Sequence, residues 1–220
     1  ISAITNSVLN LIHDRCAHLL QFNAHNFGTE TQFADAVKAR GAPLACCVGF
    51  IDGTVRSICR PSKNQKCCYS GHKRKHGLKF QSVVTSNGII AHLFGPIPAS
   101  RHDAFMLSRS NLQREARSKH LGFYGDPTYG KQDHILCPFK GASLSTEQEL
   151  FNAQMSDVRV CVEFWTADTV LGVCDFAKNR KLYLQSVGKL YAVAAILTNV
   201  HACYNGQSNV QVFPSCSTMY

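Results

Sequence analysis

Short apolar runs of strand length alternate along this chain with longer stretches in which apolar residues recur every three or four positions. The short runs lie at 44–51, 78–85, 89–94 and 121–125. The chain has 220 residues, of which 45% are hydrophobic and 17% charged, so it can bury a substantial core. The alternation therefore predicts one α/β domain in which helices cover a central sheet.

The helical periodicity is concentrated in a few long segments. They lie at 1–40 (in two pieces), 102–118, 145–165 and 187–204. Ser145 and Gln148 have the spacing of a capping box, which predicts that the third segment begins there. Asn87-Gly88 separates two of the short apolar runs and predicts a β-hairpin. Residues 61–77 are polar and basic with no apolar period, so they are predicted to form a loop.

The positive charge of the chain favours an anionic partner. Lys and Arg number 23 against 14 Asp and Glu, a formal charge of +9. A basic cluster with four always-charged side chains lies within eight residues: His72, Lys73, Arg74, Lys75, His76 and Lys79. Such a cluster binds phosphates without reading base sequence. A solvated surface loop and a nuclear-targeting run are the alternative interpretations.

Three carboxylates occupy distinctive positions in this pattern. Asp52 and Asp126 each follow a short apolar run, and Glu163 lies beside the apolar stripe of the third helical segment. Sites in α/β proteins form at strand ends, and oxygen ligands suit a hard divalent cation. Two such ions held by three carboxylates can hydrolyse a phosphodiester. The alternatives are that Asp-Gly and Asp-Pro are ordinary turns and that Glu163 pairs with Arg159.

The 11 cysteines do not form a recognisable metal or disulfide pattern. No C-x-x-C pair occurs, and Cys67 and Cys68 are adjacent, which argues against zinc binding with His72 and His76. Free thiols in a reducing, intracellular compartment are expected. No apolar run is long enough to span a membrane, and no signal peptide is evident. The chain opens on Ile1 without a methionine, which predicts a catalytic domain cut from a longer protein.

The chain contains several short motifs that, by their joint presence and their order, resemble those of the PIF/Harbinger group of DDE transposases over about residues 35–205. The motifs are Gly49-Phe50-Ile51-Asp52-Gly53-Thr54-Val55-Arg56, Tyr69 to Gln81, Gly95-Pro96, Arg101-His102-Asp103, Tyr124-Gly125-Asp126-Pro127-Thr128-Tyr129, and Arg159-Val160-Cys161-Val162-Glu163. The resemblance implies an RNase H-like fold with a mixed central sheet flanked by helices. It also implies a partial N-terminal helical segment at 1–40, an endonuclease domain at 41–206 and a tail at 207–220.

The resemblance implies a Mg²⁺-dependent DNA endonuclease or transposase with a DDE triad. Asp52, Asp126 and Glu163 would be the catalytic acids and would bind two Mg²⁺ or Mn²⁺ ions. The DNA backbone would be held by His72, Lys73, Arg74, Lys75, Lys79 and Arg101. Asp103, in the His-Asp pair, is interpreted as an acid at a helix N-terminus or an accessory residue, and is the alternative second acid.

The resemblance also implies partners and a location. A nuclear protein that acts on DNA as a homo-oligomer, with no membrane association, is expected. Residues 1–40 show no basic recognition helix, so a separate DNA-reading protein is a further expected partner. After Glu163, residues 164–170 lack the aromatic-glycine pair of the family. A decayed or domesticated transposase, acting as a non-catalytic DNA-binding or interaction module, is therefore the alternative function.

Overall fold

The computed structural model describes residues 2–22, 30–130, 132–173 and 186–205. For residues 161–173 it describes the helical backbone but not the side chains. Within these ranges the protein is a mixed α/β structure with a central sheet, flanking helices and an N-terminal helix, as predicted. The proposed tail at 207–220 and the thiols of Cys161, Cys174 and Cys216 lie outside the described part.

In the described residues the sheet has six strands: β1 Cys47–Ser57, β2 Tyr69–Ser70, β3 Lys75–Thr85, β4 Ile90–Pro98, β5 Gly122–Gly125 and β6 Ile135–Leu136. The order β4-β3-β1-β5-β6 crosses the sheet, and β2 pairs with the start of β3. The β1–β3 and β3–β4 pairs are antiparallel, whereas β1–β5 and β5–β6 are parallel. This mixed topology is that of an RNase H-like fold, which confirms the predicted fold class.

Two of the strand predictions need correction. The run at 44–51 was expected to end in a turn at Asp52-Gly53, but β1 continues to Ser57 because Asp52 to Ser57 pair with β3. Residues 61–77 are not a loop throughout. They contain the helix α3 Gln65–Cys68, the strand β2 and the first residues of β3. The polar side chains of these segments give no apolar alternation, so periodicity does not predict them as strands. They form strands because pairing depends on backbone groups.

The other helices are α1 Ser2–Cys16, α2 Glu30–Ala39, α4 Asp103–Arg109, α5 Leu112–Ser118, α6 Thr146–Val173 and α7 Val187–Asn205. A 3₁₀ turn at Ala17–Leu20 follows α1. The segment at 102–118 was predicted as one helix but breaks at Ser110, whose ψ of 149° is extended. Its hydroxyl donates to Leu107 O at 3.0 Å and accepts from Gln81 Nε2 at 3.2 Å. These bonds compete with helix continuation.

The start of α6 follows the predicted capping box. Ser145 N donates to Gln148 Oε1 at 3.2 Å, and Gln148 N donates to Ser145 Oγ at 3.3 Å. Met155 and Val158 on its apolar stripe are buried against the sheet. Helix α7 packs on the same face, where Asn199 exchanges two 2.9 Å hydrogen bonds with the backbone of Ile90. The sheet thus presents one face to α6 and α7 and the other to α4 and α5.

The eight cysteines that the structure describes are free thiols, as expected. Cys47 is fully buried at the start of β1, and burial raises the pKa of its thiol to about 12. Cys137 is half-buried, and burial followed by the charge of Asp126 raises its pKa. These thiols are poor nucleophiles at neutral pH. Among the described helices, none combines the length and apolarity that a membrane span needs.

One buried histidine makes the stability of the fold pH-dependent. His92 in β4 is buried, and neither of its ring nitrogens has a hydrogen-bond partner among the described residues. Burial lowers its pKa from 6.5 to about 4. The unfolded chain therefore binds a proton between these pH values that the folded chain does not. The free energy of unfolding is expected to fall by about 3 kcal/mol as the pH drops through that window.

The measurement is chemical denaturation of the wild type and of His92→Leu between pH 4 and 7.5. The difference in the free energy of unfolding between the two proteins should be constant above pH 6.5 and should change below it, because leucine does not titrate. His72→Gln, which changes an exposed histidine, is the matched control and should follow the wild-type profile. Parallel profiles for wild type and His92→Leu would contradict the prediction.

Candidate active site

The register between β1 and β5 brings two of the predicted acids together. Ile51 pairs with Gly125, the last residue of β5, so the next residues are Asp52 within β1 and Asp126 just after β5. Adjacent strands lie about 4.8 Å apart. Both residues are partly exposed and line the same cleft. The carboxyl ends of parallel strands are where α/β folds place ligands.

The two carboxylates have different local partners. Asp126 is the N-cap of the 3₁₀ turn Pro127–Tyr129, and its Oδ1 accepts from Thr128 N at 2.8 Å. Asp52 Oδ1 lies 3.6 Å from Nη2 of Arg159 on α6, and its Oδ2 accepts from Thr54 Oγ1 at 3.5 Å. The Asp52 side chain remains 46% exposed. Both carboxylates therefore keep oxygen lone pairs directed at the cleft or solvent.

The third predicted acid lies on α6. Position 163 is in the helical backbone, four residues or about one turn after Arg159, whose side chain reaches Asp52. The Glu163 side chain lies outside the described residues. The same holds for residues 164–170, in which the family's aromatic-glycine pair is missing.

Asp103 is the first residue of α4, as the helix N-terminal interpretation expected. Its Oδ1 lies 2.9 Å from Lys79 Nζ, and both side chains are largely buried. Its Oδ2 accepts from Thr128 Oγ1 at 3.2 Å. Because Thr128 N also donates to Asp126, Thr128 connects the two carboxylates. Asp103 also lies against β1, where a Cβ added at Gly53 would collide with its Oδ1.

The hydroxyl of Tyr129 is affected by the charges of all three aspartates of the cleft. Its side chain is buried, and its hydroxyl has no hydrogen-bond partner among the described residues. Burial raises the pKa of this phenol, and the charges of Asp103, Asp52 and Asp126 raise it further, in that order. All three carboxylates therefore act on one hydroxyl, which stays protonated at any physiological pH.

The basic cluster divides into two environments. His72, Lys73, Arg74 and Lys75 are exposed at the turn between β2 and β3, here called the basic hairpin. Lys79, four residues beyond Lys75, is buried on β3. Its ammonium pairs with Asp103 and donates to Arg101 O at 3.3 Å. The structure thus gives Lys79 an internal partner, whereas the basic hairpin is open to a ligand.

A single cleft of about 960 Å³ joins these parts. Acidic residues Asp52, Asp103 and Asp126 line it together with His72, Lys73 and Lys75 of the basic hairpin and with Arg101. Arg101 is exposed, and its guanidinium carbon lies 4.9 Å from the centre of the Phe105 ring. A cleft with acids at the sheet edge and cations on its wall suits a phosphate-bearing substrate that binds together with divalent cations.

The fit of the site to a divalent cation rests on its donor chemistry. Asp52 and Asp126 supply carboxylate oxygens, the ligands that Mg²⁺ and Mn²⁺ prefer, from adjacent strands. Among the residues whose side chains are described, no group of three or more His, Cys, Asp or Glu is arranged to hold a metal ion. The two aspartates thus fit as part of a metal site, for which a third ligand must come from elsewhere.

Several residues of the site were missed by sequence reasoning. Tyr129 and Thr128 belong to the quoted motif that runs from Tyr124 to Tyr129, yet only the fold shows what they contact. Arg159 was considered only as a partner of Glu163, and the structure pairs it with Asp52. The Lys79–Asp103 pair joins β3 to α4, and no spacing rule reveals a contact of that kind.

The fold is that of the RNase H-like class, and its cleft is lined by Asp52, Asp103 and Asp126. A family model described as DDE superfamily endonuclease matches residues 51–199, which is more than half of the chain. The chain therefore belongs to the DDE superfamily endonuclease family. No curated protein and no solved structure is significantly similar to it.

Proposed function

We propose that this protein is a divalent-metal-dependent DNA endonuclease of the PIF/Harbinger group, which hydrolyses phosphodiesters and joins the resulting 3′ end to target DNA. One observation carries the proposal. The parallel β1–β5 ladder brings Asp52 and Asp126 to the same cleft as the basic hairpin. Family membership supports the reaction class.

Asp52, Asp126 and Glu163 are the proposed metal ligands, for two Mg²⁺ or Mn²⁺ ions. Bound divalent ions supply an activated water and stabilise the leaving oxygen of a phosphodiester. Arg159 restrains the Asp52 carboxylate through their 3.6 Å contact. Thr128 N restrains Asp126 in the same way through its 2.8 Å hydrogen bond. Preorganised carboxylates of this kind need little rearrangement when substrate binds.

Asp103 is proposed as an accessory, positioning acid and not as the second catalytic acid. Its two oxygens already face Lys79 and Thr128, so its charge is compensated within the protein. Asp126 has no cation partner of this kind among the described residues. Of these two candidates for the second acid, the carboxylate that is free of a close, buried ion pair is the better ligand for a metal ion.

DNA is the proposed partner of the cleft. His72, Lys73, Arg74 and Lys75 would contact backbone phosphates, as would Arg101, which adjoins α4 at the cleft wall. Lys79 is buried in an ion pair with Asp103, so its proposed part is to hold Asp103 and the Arg101 backbone at the cleft wall. Action in the nucleus, as a homo-oligomer and with a separate DNA-reading protein, completes the proposal. The family resemblance supports these last features.

The experiment is nicking of supercoiled plasmid by purified protein with Mg²⁺, Mn²⁺, Ca²⁺ or EDTA. Wild-type protein should nick with Mg²⁺ or Mn²⁺ and should be inactive in EDTA. Asp52→Asn should reduce nicking to background, because it removes a charge that the proposed ions require. Equal nicking by both proteins would refute the proposal. No nicking by either, with DNA binding retained, would favour the non-catalytic module.

A further inference from the structure

Arg56 on β1 is a buried cation that has no acidic partner within the part of the chain whose side chains are described. Its residue exposure is 6%, and no carboxylate among the described residues lies within ion-pair distance of it. Its Nη2 donates to the hydroxyl of Tyr191 on α7 at 3.1 Å, and its buried Nε has no acceptor among the described residues. A guanidinium stays charged at every accessible pH, so burying it unpaired is costly.

Aromatic contacts hold the side chain of Arg56 in place, although no described carboxylate compensates its charge. Its guanidinium carbon lies 4.9 Å from the centre of the Tyr191 ring. That ring packs against Phe80 of β3 with 4.2 Å between ring centres. The aromatic pair therefore orients the guanidinium without neutralising it. A structural role alone would be served as well by an apolar side chain of similar length.

The position of Arg56 relative to the acids is set by the strand. Asp52, Thr54 and Arg56 alternate along β1, so their side chains leave the same face of the sheet. All three line the cleft together with Tyr191. Four residues of extended strand span about 13 Å. That distance covers about four phosphates of one B-form strand along the helix axis.

We propose that Arg56, oriented by Tyr191, binds a backbone phosphate of a nucleic-acid strand that runs along β1, a few nucleotides from the phosphate at Asp52. This inference rests on the proposed function and adds an anion subsite to it. A phosphodiester supplies the negative charge and the acceptor oxygens that the guanidinium lacks. The subsite lies deeper in the cleft than the exposed basic hairpin.

The test measures DNA binding and thermal stability of Arg56→Met in parallel. Fluorescein-labelled duplex and single-stranded oligonucleotides are titrated by anisotropy in EDTA, where no cleavage occurs, over a series of salt concentrations. The variant should bind about 10- to 100-fold more weakly. The slope of log K against log salt should fall by about 0.9 for duplex or 0.7 for a single strand, the value of one phosphate contact. The two oligonucleotides show which form occupies the subsite.

The matched control is Arg117→Met, which removes an exposed arginine of α5 that lies outside the cleft and 3.5 Å from Asp133. Its salt slope should equal that of the wild type. The melting temperature of Arg56→Met without DNA should be unchanged or higher, because an unpaired buried charge is lost. A lower melting temperature with unchanged DNA affinity and slope would show a purely structural role and overturn the proposal.

A second variant covers the case in which Arg56→Met does not fold. Arg56→Lys keeps the charge but loses the fork of donors, so affinity should fall several-fold with the salt slope retained. Wild-type affinity in Arg56→Lys would overturn the proposal. Failure of the wild type to bind any DNA would refute the proposed function as well. Binding with a slope that does not depend on Arg56 would refute only the subsite.

Discussion

Asp126→Asn is expected to reduce plasmid nicking to the background of the assay, whereas Asp103→Asn should leave nicking that is about 10- to 100-fold below wild type. Asparagine is nearly isosteric with aspartate, and its side-chain oxygen can still accept from Thr128 N, so the 3₁₀ turn should persist. The substitution therefore removes the charge of the proposed metal ligand and little else. The comparison distinguishes the two candidates for the second acid.

Asp103→Asn should reduce nicking indirectly, because it disturbs the position of neighbouring groups and lowers the affinity of the site for metal ions. It keeps an acceptor for Thr128 Oγ1 but leaves Lys79 without its carboxylate. The displaced ammonium and the loosened turn should raise the Mn²⁺ concentration needed for half-maximal nicking, and saturating Mn²⁺ should restore part of the rate. Asp126→Asn should not be restored in this way. If Asp103→Asn instead shows only background nicking while Asp126→Asn stays active, Asp103 is the second catalytic acid and Asp126 the accessory acid.

Gly53→Ala is expected to abolish nicking and to lower the free energy of unfolding by about 1–3 kcal/mol. The added methyl would occupy the place of Asp103 Oδ1, and Oδ1 is also the atom that faces Lys79. The carboxylate must therefore move away from its cation, or β1 must shift beside Asp52. Either movement disturbs the acidic cluster. Nicking rates and denaturant unfolding curves measure the two effects.

The control for this prediction is Gly141→Ala, at a glycine that does not line the cleft. A Cβ at Gly141 would meet only atoms of Leu144 and Ser143 at 3.6 Å, an ordinary contact distance, so stability and nicking should remain close to wild type. A double-mutant cycle identifies the cause. If the collision with Asp103 is responsible, Gly53→Ala should cost much less stability when position 103 is already alanine. Equal costs in both backgrounds would contradict the explanation.

Local patterns in the sequence were sufficient for most elements of the fold. The Asn87-Gly88 turn, the capping box at Ser145 and the helix that begins at Val187 were predicted from a few neighbouring residues, and all are confirmed. The errors have a common origin. The continuation of β1 past Asp52, the strand β2 and the break at Ser110 depend on pairing or contacts with β3.

The residues of the candidate site also divide into those that local sequence patterns indicated and those that only the packed structure identified. Asp52 and Asp126 stood out because each follows an apolar run, and the basic hairpin stood out because its charges are contiguous. Glu163 stays a prediction, since only its helical backbone is described. The partners Lys79 and Asp103 are 24 positions apart and meet only through packing of α4 on the sheet. Arg56 appeared in the sequence only as the last residue of the first quoted motif.

The sequence by itself therefore determined most of the elements, the excess of positive charge and the choice of candidate acids, because these depend on residue type and near-neighbour order. The tertiary structure alone decided the pairing register that aligns Asp52 with Asp126, the neutralisation of Asp103 by Lys79 and the burial of Arg56 away from every described carboxylate. Each of these depends on which distant backbones pair and which side chains lose water. Those are properties of the packed chain and not of any short segment.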